Sequence, residues 1–168
     1  MPQKTGLLPG FNKQLTPTGV EYQENYLKKN NIDFNTIADV VSNNHLKHSI
    51  STGFFLNEFV LNSIIKIDHI EKDRRFKSFF NQFNKDLNKE NRASDLSIFF
   101  SMMSGSSSTQ HTDGESVHII GLYGHTSYIL DNKIILLKPG DRLYIKAGTP
   151  HKAVSMSPRI VFSFGIYK

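Results

Sequence analysis

The chain has 168 residues, contains neither cysteine nor tryptophan, and carries a formal net charge of +5 at pH 7. Without cysteine it forms no disulfide or thiolate metal site and uses no thiol nucleophile, which fits a reducing compartment such as the cytoplasm. No apolar run is long enough for a membrane span or a signal peptide, and the basic residues are spread along the chain. A membrane partner is therefore not expected, and a nucleic-acid partner is left open but unsupported.

The length predicts one domain over residues 1–168, with a helical cap and arm in residues 1–92 and a β core in residues 93–168. Proline and glycine recur within residues 1–20, which predicts an irregular arm. The pattern then changes twice along the chain, first to helical spacing and later to short apolar runs.

Three helical patterns follow the arm. The first begins at Asn35 or Thr36, either of which can cap a helix, and the second begins at Thr52. The third spans residues 75–88 and is the clearest, because its apolar side chains share one face, which we interpret as a packing face. The apolar positions of the three patterns are Ile37, Val40 and Val41; Phe55, Phe59, Leu61 and Ile64; and Phe76, Phe79, Phe80, Phe83 and Leu87.

From residue 94 onwards, short apolar runs alternate with turn-forming pairs such as Pro139-Gly140. This spacing is typical of antiparallel sandwiches and barrels. The fold class predicted is therefore mainly β with N-terminal helices. The predicted strands cover residues 96–103, 117–123, 127–130, 133–138, 141–145, 151–156 and 159–167.

Three residues of this β region have the composition of a metal site. Two imidazoles and one carboxylate, here His111, Asp113 and His151, are the ligand set of non-haem Fe(II) sites that keep positions open for substrate chemistry. On a strand, residues i and i+2 point to the same face, so His111 and Asp113 can reach one ion. A neighbouring strand then brings His151 to the same place.

The residues around these ligands resemble the two conserved boxes of the cupin superfamily. Gly105, His111, Asp113, His118 and Gly124 resemble the first box, with Asp113 in place of the usual second histidine. The second box is matched by Gly140, Gly148, Pro150 and His151, with Lys146 where proline is usual and Ser155 where asparagine is usual. The H-x-D…H form, together with residues 121–124 and 139–145, resembles the JmjC-like 2-oxoglutarate oxygenases. This resemblance covers about 75 C-terminal residues.

The resemblance implies a double-stranded β-helix (cupin or jelly roll) core with Fe(II) on His111, Asp113 and His151. It also implies 2-oxoglutarate as cosubstrate, chelating the metal, and O₂ as oxidant. The activity implied is that of a hydroxylase or demethylase, which oxidises a substrate C–H bond and releases succinate and CO₂.

A cation must also face the distal carboxylate of 2-oxoglutarate, because an unpaired buried carboxylate is very costly. JmjC-like proteins usually have a lysine 15 to 17 residues after the first histidine, but residues 126–128 of this chain contain none. Arg159 resembles the arginine of prolyl-hydroxylase-like oxygenases, and Ser163 the hydroxyl residue four positions later. Arg159 could instead be a solvated residue at the edge of a strand.

Other polar residues have less specific interpretations. Tyr128 is a candidate hydroxyl contact to the cosubstrate, with core packing as its alternative. His118 is either a fourth ligand or a core histidine. The remaining candidates receive no chemical role: Asp141 is expected to be structural and His125 to be solvated, and His45, His48 and His69 lack ligand spacing. Glu115, two positions after Asp113, either faces the mouth of the pocket or is solvated in its loop, the default.

Two other functions remain open. One is a metal-dependent cupin enzyme without 2-oxoglutarate, such as an isomerase, an epimerase or an O₂-only dioxygenase; His118 as a ligand and an outward Arg159 would favour it. The other is a non-catalytic or sugar-binding cupin module. The sequence does not select between protein, nucleotide and small-metabolite substrates, or between a monomer and a homodimer.

Overall fold

Nine strands and two α-helices form the described part of the chain in a computed structural model, which describes residues 19–28, 32–48, 64–87, 92–105, 107–131 and 133–167. The elements are β1 (Val20–Gln23), α1 (Phe34–His48), β2 (Ile64–Ile67), α2 (Arg74–Lys85), β3 (Asp95–Ser101), β4 (Ser116–Tyr123), β5 (Thr126–Leu130), β6 (Lys133–Leu137), β7 (Arg142–Ile145), β8 (Lys152–Ser155) and β9 (Arg159–Ile166).

The strands form two antiparallel sheets. One has six strands in the order β1-β7-β4-β9-β3-β2, and the other has three in the order β6-β5-β8. From β4 onwards the chain passes repeatedly between the two sheets, which is the connectivity of a jelly roll. The predicted mainly β fold with a double-stranded β-helix core is confirmed.

The space between the sheets is filled by apolar side chains that alternate with outward-facing residues along each strand. Tyr128 and Leu130 of β5 face Ile119 of β4 and Val161 of β9 in this interior. Arg159 lies two residues before Val161 and therefore points to the same interior.

The opposite face of the six-stranded sheet is covered by the helices. Phe76 and Phe83 of α2 are buried, and the ring of Phe83 stacks on that of Phe164 in β9 with centroids 3.8 Å apart. Asp73 caps α2 by accepting a hydrogen bond from the backbone N–H of Arg75 at 2.9 Å. The phenylalanine stripe is thus a packing face, as the sequence predicts.

Two strands lie where the sequence analysis predicts no strand. β1 pairs with β7, and β2 pairs with β3, so both belong to the six-stranded sheet. Ile64, which we assigned to a helical pattern, begins β2; that assignment is wrong. Ile65 and Ile67 are buried while Lys66 is exposed, so the run has the two-residue period of a strand.

The rest of the second helical pattern, including Thr52, Phe55, Phe59 and Leu61, lies outside the described residues, as does most of the arm. The single-domain assignment stays a prediction. None of the helices in the described ranges is long and apolar enough to cross a membrane.

Candidate metal centre

His111 and His151 face each other across an isolated antiparallel bridge. The backbone N–H of His111 donates to the carbonyl of His151 at 3.0 Å, and the N–H of His151 donates back at 2.9 Å. The two imidazole rings lie side by side, with centroids 4.4 Å apart. Residues distant in the sequence are therefore fixed together by their own backbones.

Asp113 completes the group from the loop that follows His111. Its backbone carbonyl accepts a hydrogen bond from the N–H of Gly148 at 2.9 Å, which ties this loop to the turn before His151. Its carboxylate oxygens lie 3.7 Å from Nε2 of His111 and 3.5 Å from Nε2 of His151. The ligand atoms of the three residues lie within 4.8 Å of one another.

Backbone carbonyls determine which nitrogen of each imidazole is available. Nδ1 of His111 lies 2.8 Å from the carbonyl oxygen of Thr109, and Nδ1 of His151 lies 3.0 Å from that of Thr149. Because a carbonyl oxygen only accepts, each Nδ1 carries the hydrogen and each Nε2 lone pair points towards Asp113. Carbonyl partners of this kind orient histidine ligands in metal sites.

The donor set fits a divalent first-row metal. Two Nε2 lone pairs and a carboxylate converge, an arrangement that is repulsive unless a cation lies between them. Metal–ligand bonds of about 2.0–2.2 Å place neighbouring donor atoms about 3 Å apart, so only small side-chain movements bring these atoms to ligating distances.

One side of the group is open. The His151 side chain is 5% exposed, whereas those of Asp113 and His111 are 33% and 40% exposed. Three protein donors on one side leave positions for exogenous ligands on the other, as in facial two-histidine, one-carboxylate sites.

Arg159 is buried in the interior between the sheets, not solvated at a strand edge. Its Nη1 donates to Oγ1 of Thr126 at 2.9 Å, and its Nε donates to Oγ of Ser101 at 3.4 Å. Burial lowers the pKa of this guanidinium below its usual range. Among the described residues, no carboxylate forms an ion pair with it.

Tyr128 interacts with both Arg159 and the carboxylate of Asp113. It is buried and interacts with the guanidinium of Arg159, while its hydroxyl also experiences the charge of Asp113. Burial is the main reason that the pKa of Tyr128 is raised. Tyr128 therefore fits both interpretations of the sequence. Its ring packs in the interior, and its hydroxyl interacts with the charged groups of Arg159 and Asp113.

Ser163 lies elsewhere than beside the guanidinium. It is four residues along β9 from Arg159, about 13 Å at strand rise, and lines a cleft of about 80 Å³ together with Asp113 and Glu115. The lining of this cleft also includes Lys66 of β2. Ser163 therefore shares a cleft with Asp113, whereas the hydrogen bonds of Arg159 go to Ser101 and Thr126.

His118 lies on the other face of β4, under α2. Its ring packs against Phe83 and Tyr144, with centroids 5.5 and 4.8 Å away, and neither ring nitrogen has a hydrogen-bond partner among the described residues. Burial and the charge of Arg142 lower its pKa to about 3. His118 is thus a core histidine remote from the metal group.

The other candidates are placed as follows. Asp141 is buried and accepts hydrogen bonds from the hydroxyl of Tyr22 at 2.5 Å and the N–H groups of Asn25 and Lys138 at 3.0 Å, a structural role. His125 is exposed, as expected, whereas Glu115 is half-buried at the cleft. His69 lies near Glu71, and the side chains of His45 and His48 lie outside the described part.

Sequence reasoning missed three buried hydroxyls, two of which, those of Ser101 and Thr126, contact Arg159. Ser101, Thr126 and Ser155 are each 1% exposed, and Thr126 and Ser155 are directly paired across β5 and β8. The available signal was the polar residue at each of these positions within otherwise apolar strands. It was weak, because serine and threonine are common at the ends of strands.

No family model matches the sequence, and no curated protein sequence matches it. Solved structures do match. YcfD, a ribosomal oxygenase from Escherichia coli in complex with cobalt and 2-oxoglutarate, superposes with a TM-score of 0.54 at 24% identity, over 61% of this chain and 31% of that chain. Its complex with cobalt and succinic acid gives a TM-score of 0.55 at 24% identity over the same shares.

A cupin superfamily protein from Desulfitobacterium hafniense matches with a TM-score of 0.46 at 16% identity, over 64% of this chain and 80% of that chain. This chain spans about a third of the length of YcfD. It has a double-stranded β-helix similar in fold to part of that oxygenase.

Proposed function

We propose that this protein is an Fe(II)- and 2-oxoglutarate-dependent oxygenase of the hydroxylase or demethylase type. The observation that carries the proposal is the convergence of His111, Asp113 and His151 on one point, with both Nε2 lone pairs directed at it. Similarity in fold to an oxygenase solved with cobalt and 2-oxoglutarate supports it.

The overall reaction converts a substrate C–H bond, O₂ and 2-oxoglutarate into a C–OH group, succinate and CO₂. One oxygen atom enters the new hydroxyl and the other enters succinate. O₂ takes two electrons from the oxidative decarboxylation of 2-oxoglutarate and two from the substrate C–H bond. When bound, Fe(II) would supply the redox chemistry that couples these two oxidations. The residues of the chain would bind the metal and the cosubstrate and exclude water.

His111, Asp113 and His151 would hold the metal on one side only. The carbonyls of Thr109 and Thr149 hold Nδ1 of the two imidazoles, so the Nε2 lone pairs are already oriented when the metal binds. The exposed side of Asp113 adjoins the cleft that Ser163 lines, through which a substrate C–H bond would approach.

Arg159 would bind the distal carboxylate of 2-oxoglutarate. A guanidinium is the best partner for a carboxylate, because two parallel N–H groups match the two oxygens. Its contact with Thr126 supports this role, since residues 126–128 lie where JmjC-like proteins have a lysine. Arg159 of β9 would therefore take the part that this lysine has on β5 in JmjC-like proteins.

Tyr128 and the apolar interior would position the cosubstrate between the two charged groups. The Tyr128 hydroxyl interacts with Arg159 and lies in the field of Asp113, so it can contact a molecule that extends from one to the other. Val161 and Ile119 exclude water from this region, which strengthens each charged interaction and protects reactive species.

Neither placement that would favour a cupin enzyme without 2-oxoglutarate is observed. His118 lies under α2 and Arg159 points inward. Iron as the metal, the cytoplasmic location and the single-chain or dimeric state remain predictions, and the substrate is not identified.

Anaerobic addition of Fe(II) and 2-oxoglutarate tests the proposal. We expect a weak visible charge-transfer band in the wild type, and succinate after O₂ is admitted. Asp113→Ala should remove both, whereas His125→Ala, which alters an exposed histidine outside the group, should keep both. A wild type that gives neither band nor succinate would contradict the proposal.

A further inference from the structure

Three loops lie side by side at one end of the β-helix, and each connects the six-stranded sheet with the three-stranded sheet or its edge. They span residues 102–104, 124–125 and 156–158. β9 lies between β3 and β4 in the larger sheet, so the loop that leads into β9 lies between the other two. Neighbouring strands are about 4.8 Å apart, and the three loops are therefore close neighbours.

Hydrogen bonds tie the middle loop to both of its neighbours. The backbone N–H of Met156 donates to the carbonyl of His125 at 3.0 Å, and the N–H of His125 donates to Oγ of Ser157 at 2.9 Å. On the other side, the N–H of Gly105 donates to the carbonyl of Ser155 at 2.7 Å. Backbone contacts therefore fix the relative positions of the three loops.

These loops carry most of the thioether groups of the chain, which has four methionines and no cysteine. Met102 and Met103 lie in one outer loop and Met156 in the middle loop, and they are 40%, 44% and 55% exposed. His125 is exposed in the other outer loop. Adjoining exposed apolar side chains mark an interaction or ligand site, whereas isolated ones need no explanation.

The donor atoms at this end are neutral and soft. Thioether sulfur favours Cu(I), and imidazole also binds copper, whereas carboxylate oxygen favours harder ions. Residues 102–104, 124–125 and 156–158 contain no carboxylate, and no lysine or arginine that would repel a cation. Arg159, next to the middle loop, is buried and points to the interior. The methionine side chain is unbranched with three rotatable bonds, so sulfur atoms from neighbouring loops can turn towards one ion.

We propose that the exposed donors of the three loops form a binding site for one Cu(I) ion. The ligands are three thioethers and one imidazole, from Met102, Met103, Met156 and His125. β8 separates this site from the histidine–aspartate group, because His151 precedes the strand and Met156 follows it, about 16 Å away at strand rise. The site does not depend on the proposed function.

Competition with a coloured chelator tests the site. Metal-free protein is mixed anaerobically with Cu(I) and bicinchoninate, whose Cu(I) complex absorbs visible light. We expect the wild type to withdraw one Cu(I) per chain from the chelator. Met156→Leu keeps the volume and apolar character of the side chain and removes the sulfur. It should weaken Cu(I) binding at least about tenfold, since changing even a hydrogen-bond partner of a metal ligand costs about 10- to 100-fold in affinity.

The methyl signals of the methionines show which sulfur atoms bind. Protein labelled with ¹³C at these methyl groups is titrated with Ag(I), an air-stable ion of the same charge and similar softness, and leucine variants assign the signals. We expect the signals of Met102, Met103 and Met156 to shift together, with one binding curve. Three separate curves would show independent surface thioethers and overturn the proposal.

Two controls separate this site from the histidine–aspartate group and from damage to the fold. His151→Ala removes a ligand of the other site and should bind Cu(I) like the wild type, whereas Met156→Leu should keep the Mn(II) affinity and the melting temperature of the wild type. Met103→Leu changes a different loop and should also lose Cu(I), so the test does not depend on the folding of one variant.

The proposed site and the proposed function fail in different ways. If the wild type withdraws no Cu(I), or if Met156→Leu and Met103→Leu both bind it like the wild type, the methionine site is wrong and the oxygenase function stands. Loss of Cu(I) in His151→Ala, with retention in both leucine variants, would place the ion at the histidine–aspartate group and would also overturn the proposal.

Discussion

One buried histidine and one buried arginine lie under the helices, and another such pair lies on the side of the metal group, yet only the second pair has the character of a functional site. His118 and His151 are both 4% exposed. His118 lies under α2 against Phe83 and has no hydrogen-bond partner in the described part of the chain, whereas His151 is held by the carbonyl of Thr149 and faces Asp113. Burial alone therefore does not identify a functional histidine; its polar partners do.

The buried arginines differ in the same way. Arg142 lies over the ring of Tyr26, 4.6 Å from its centroid, and feels the negative charges of Glu21 and Asp86. Arg159 lies among hydroxyls. The first charge is compensated by the protein, and the second is available to compensate the charge of a ligand.

The largest effect expected on the helix-covered face is from Phe83→Ala. Phe83 stacks on Phe164 and touches His118, so its removal leaves a cavity in the core. Unfolding by urea should show a loss of about 3–5 kcal/mol. The Mn(II) affinity of the folded variant should match the wild type; a parallel loss of metal affinity would show that the two faces are coupled.

The next effect is on the pH dependence of stability. The unfolded chain protonates His118 near pH 6.5, whereas the folded chain resists protonation down to a pKa of about 3. Stability is therefore lost as pH falls below 6.5. Between pH 7 and pH 4 the wild type should lose about 3 kcal/mol more than His118→Leu, measured as free energy of unfolding in urea. Equal losses in both proteins would disprove the assignment.

Replacing each arginine by methionine tests whether acidic residues of the protein compensate the charge of Arg142 but not that of Arg159. Arg142→Met leaves Glu21 and Asp86 without their cation and should destabilise the protein by about 1–2 kcal/mol. Arg159→Met removes a buried charge that faces only hydroxyls, so the ligand-free protein should be equally stable or more stable by about 1 kcal/mol. Thermal unfolding measures both, and destabilisation of similar size in the two variants would contradict the distinction.

The smallest effect is expected at the turn that orients Asp113. Gly148 has a φ of +77°, in the left-handed region, and its N–H holds the Asp113 carbonyl. Gly148→Ala should cost about 1 kcal/mol in urea unfolding. Gly114→Ala is the control, since a Cβ at Gly114 meets no atom within 4 Å and its φ is not positive. A larger loss for Gly114→Ala would contradict this role of the turn.

The metal group and the phenylalanine stripe were predictable because each depends on local spacing. His111, Asp113 and His151 stand at defined positions in two sequence boxes, and the stripe repeats with the period of a helix. Both patterns leave a signal that a single sequence carries.

The remaining features depend on contacts between distant strands. β1 and β2 have four residues each and become strands by pairing with β7 and β3. The face of the sheet that His118 occupies could not be predicted from that of His111. Residues 112–115 do not form a strand, so side chains do not alternate regularly between the two faces from His111 to His118. The surroundings of Arg159 come from three strands, so no local pattern contains them.

The most direct test of the metal centre is a titration of the wild type, His151→Ala and His118→Ala with Mn(II), followed by the electron paramagnetic resonance signal of free Mn(II). The two variants remove equally buried histidines, one from the metal group and one from the core under α2. We expect one ion bound per wild-type chain, a loss of affinity on the order of 100-fold or more in His151→Ala, and unchanged affinity in His118→Ala. Retention of full affinity by His151→Ala would contradict the assignment of the metal centre.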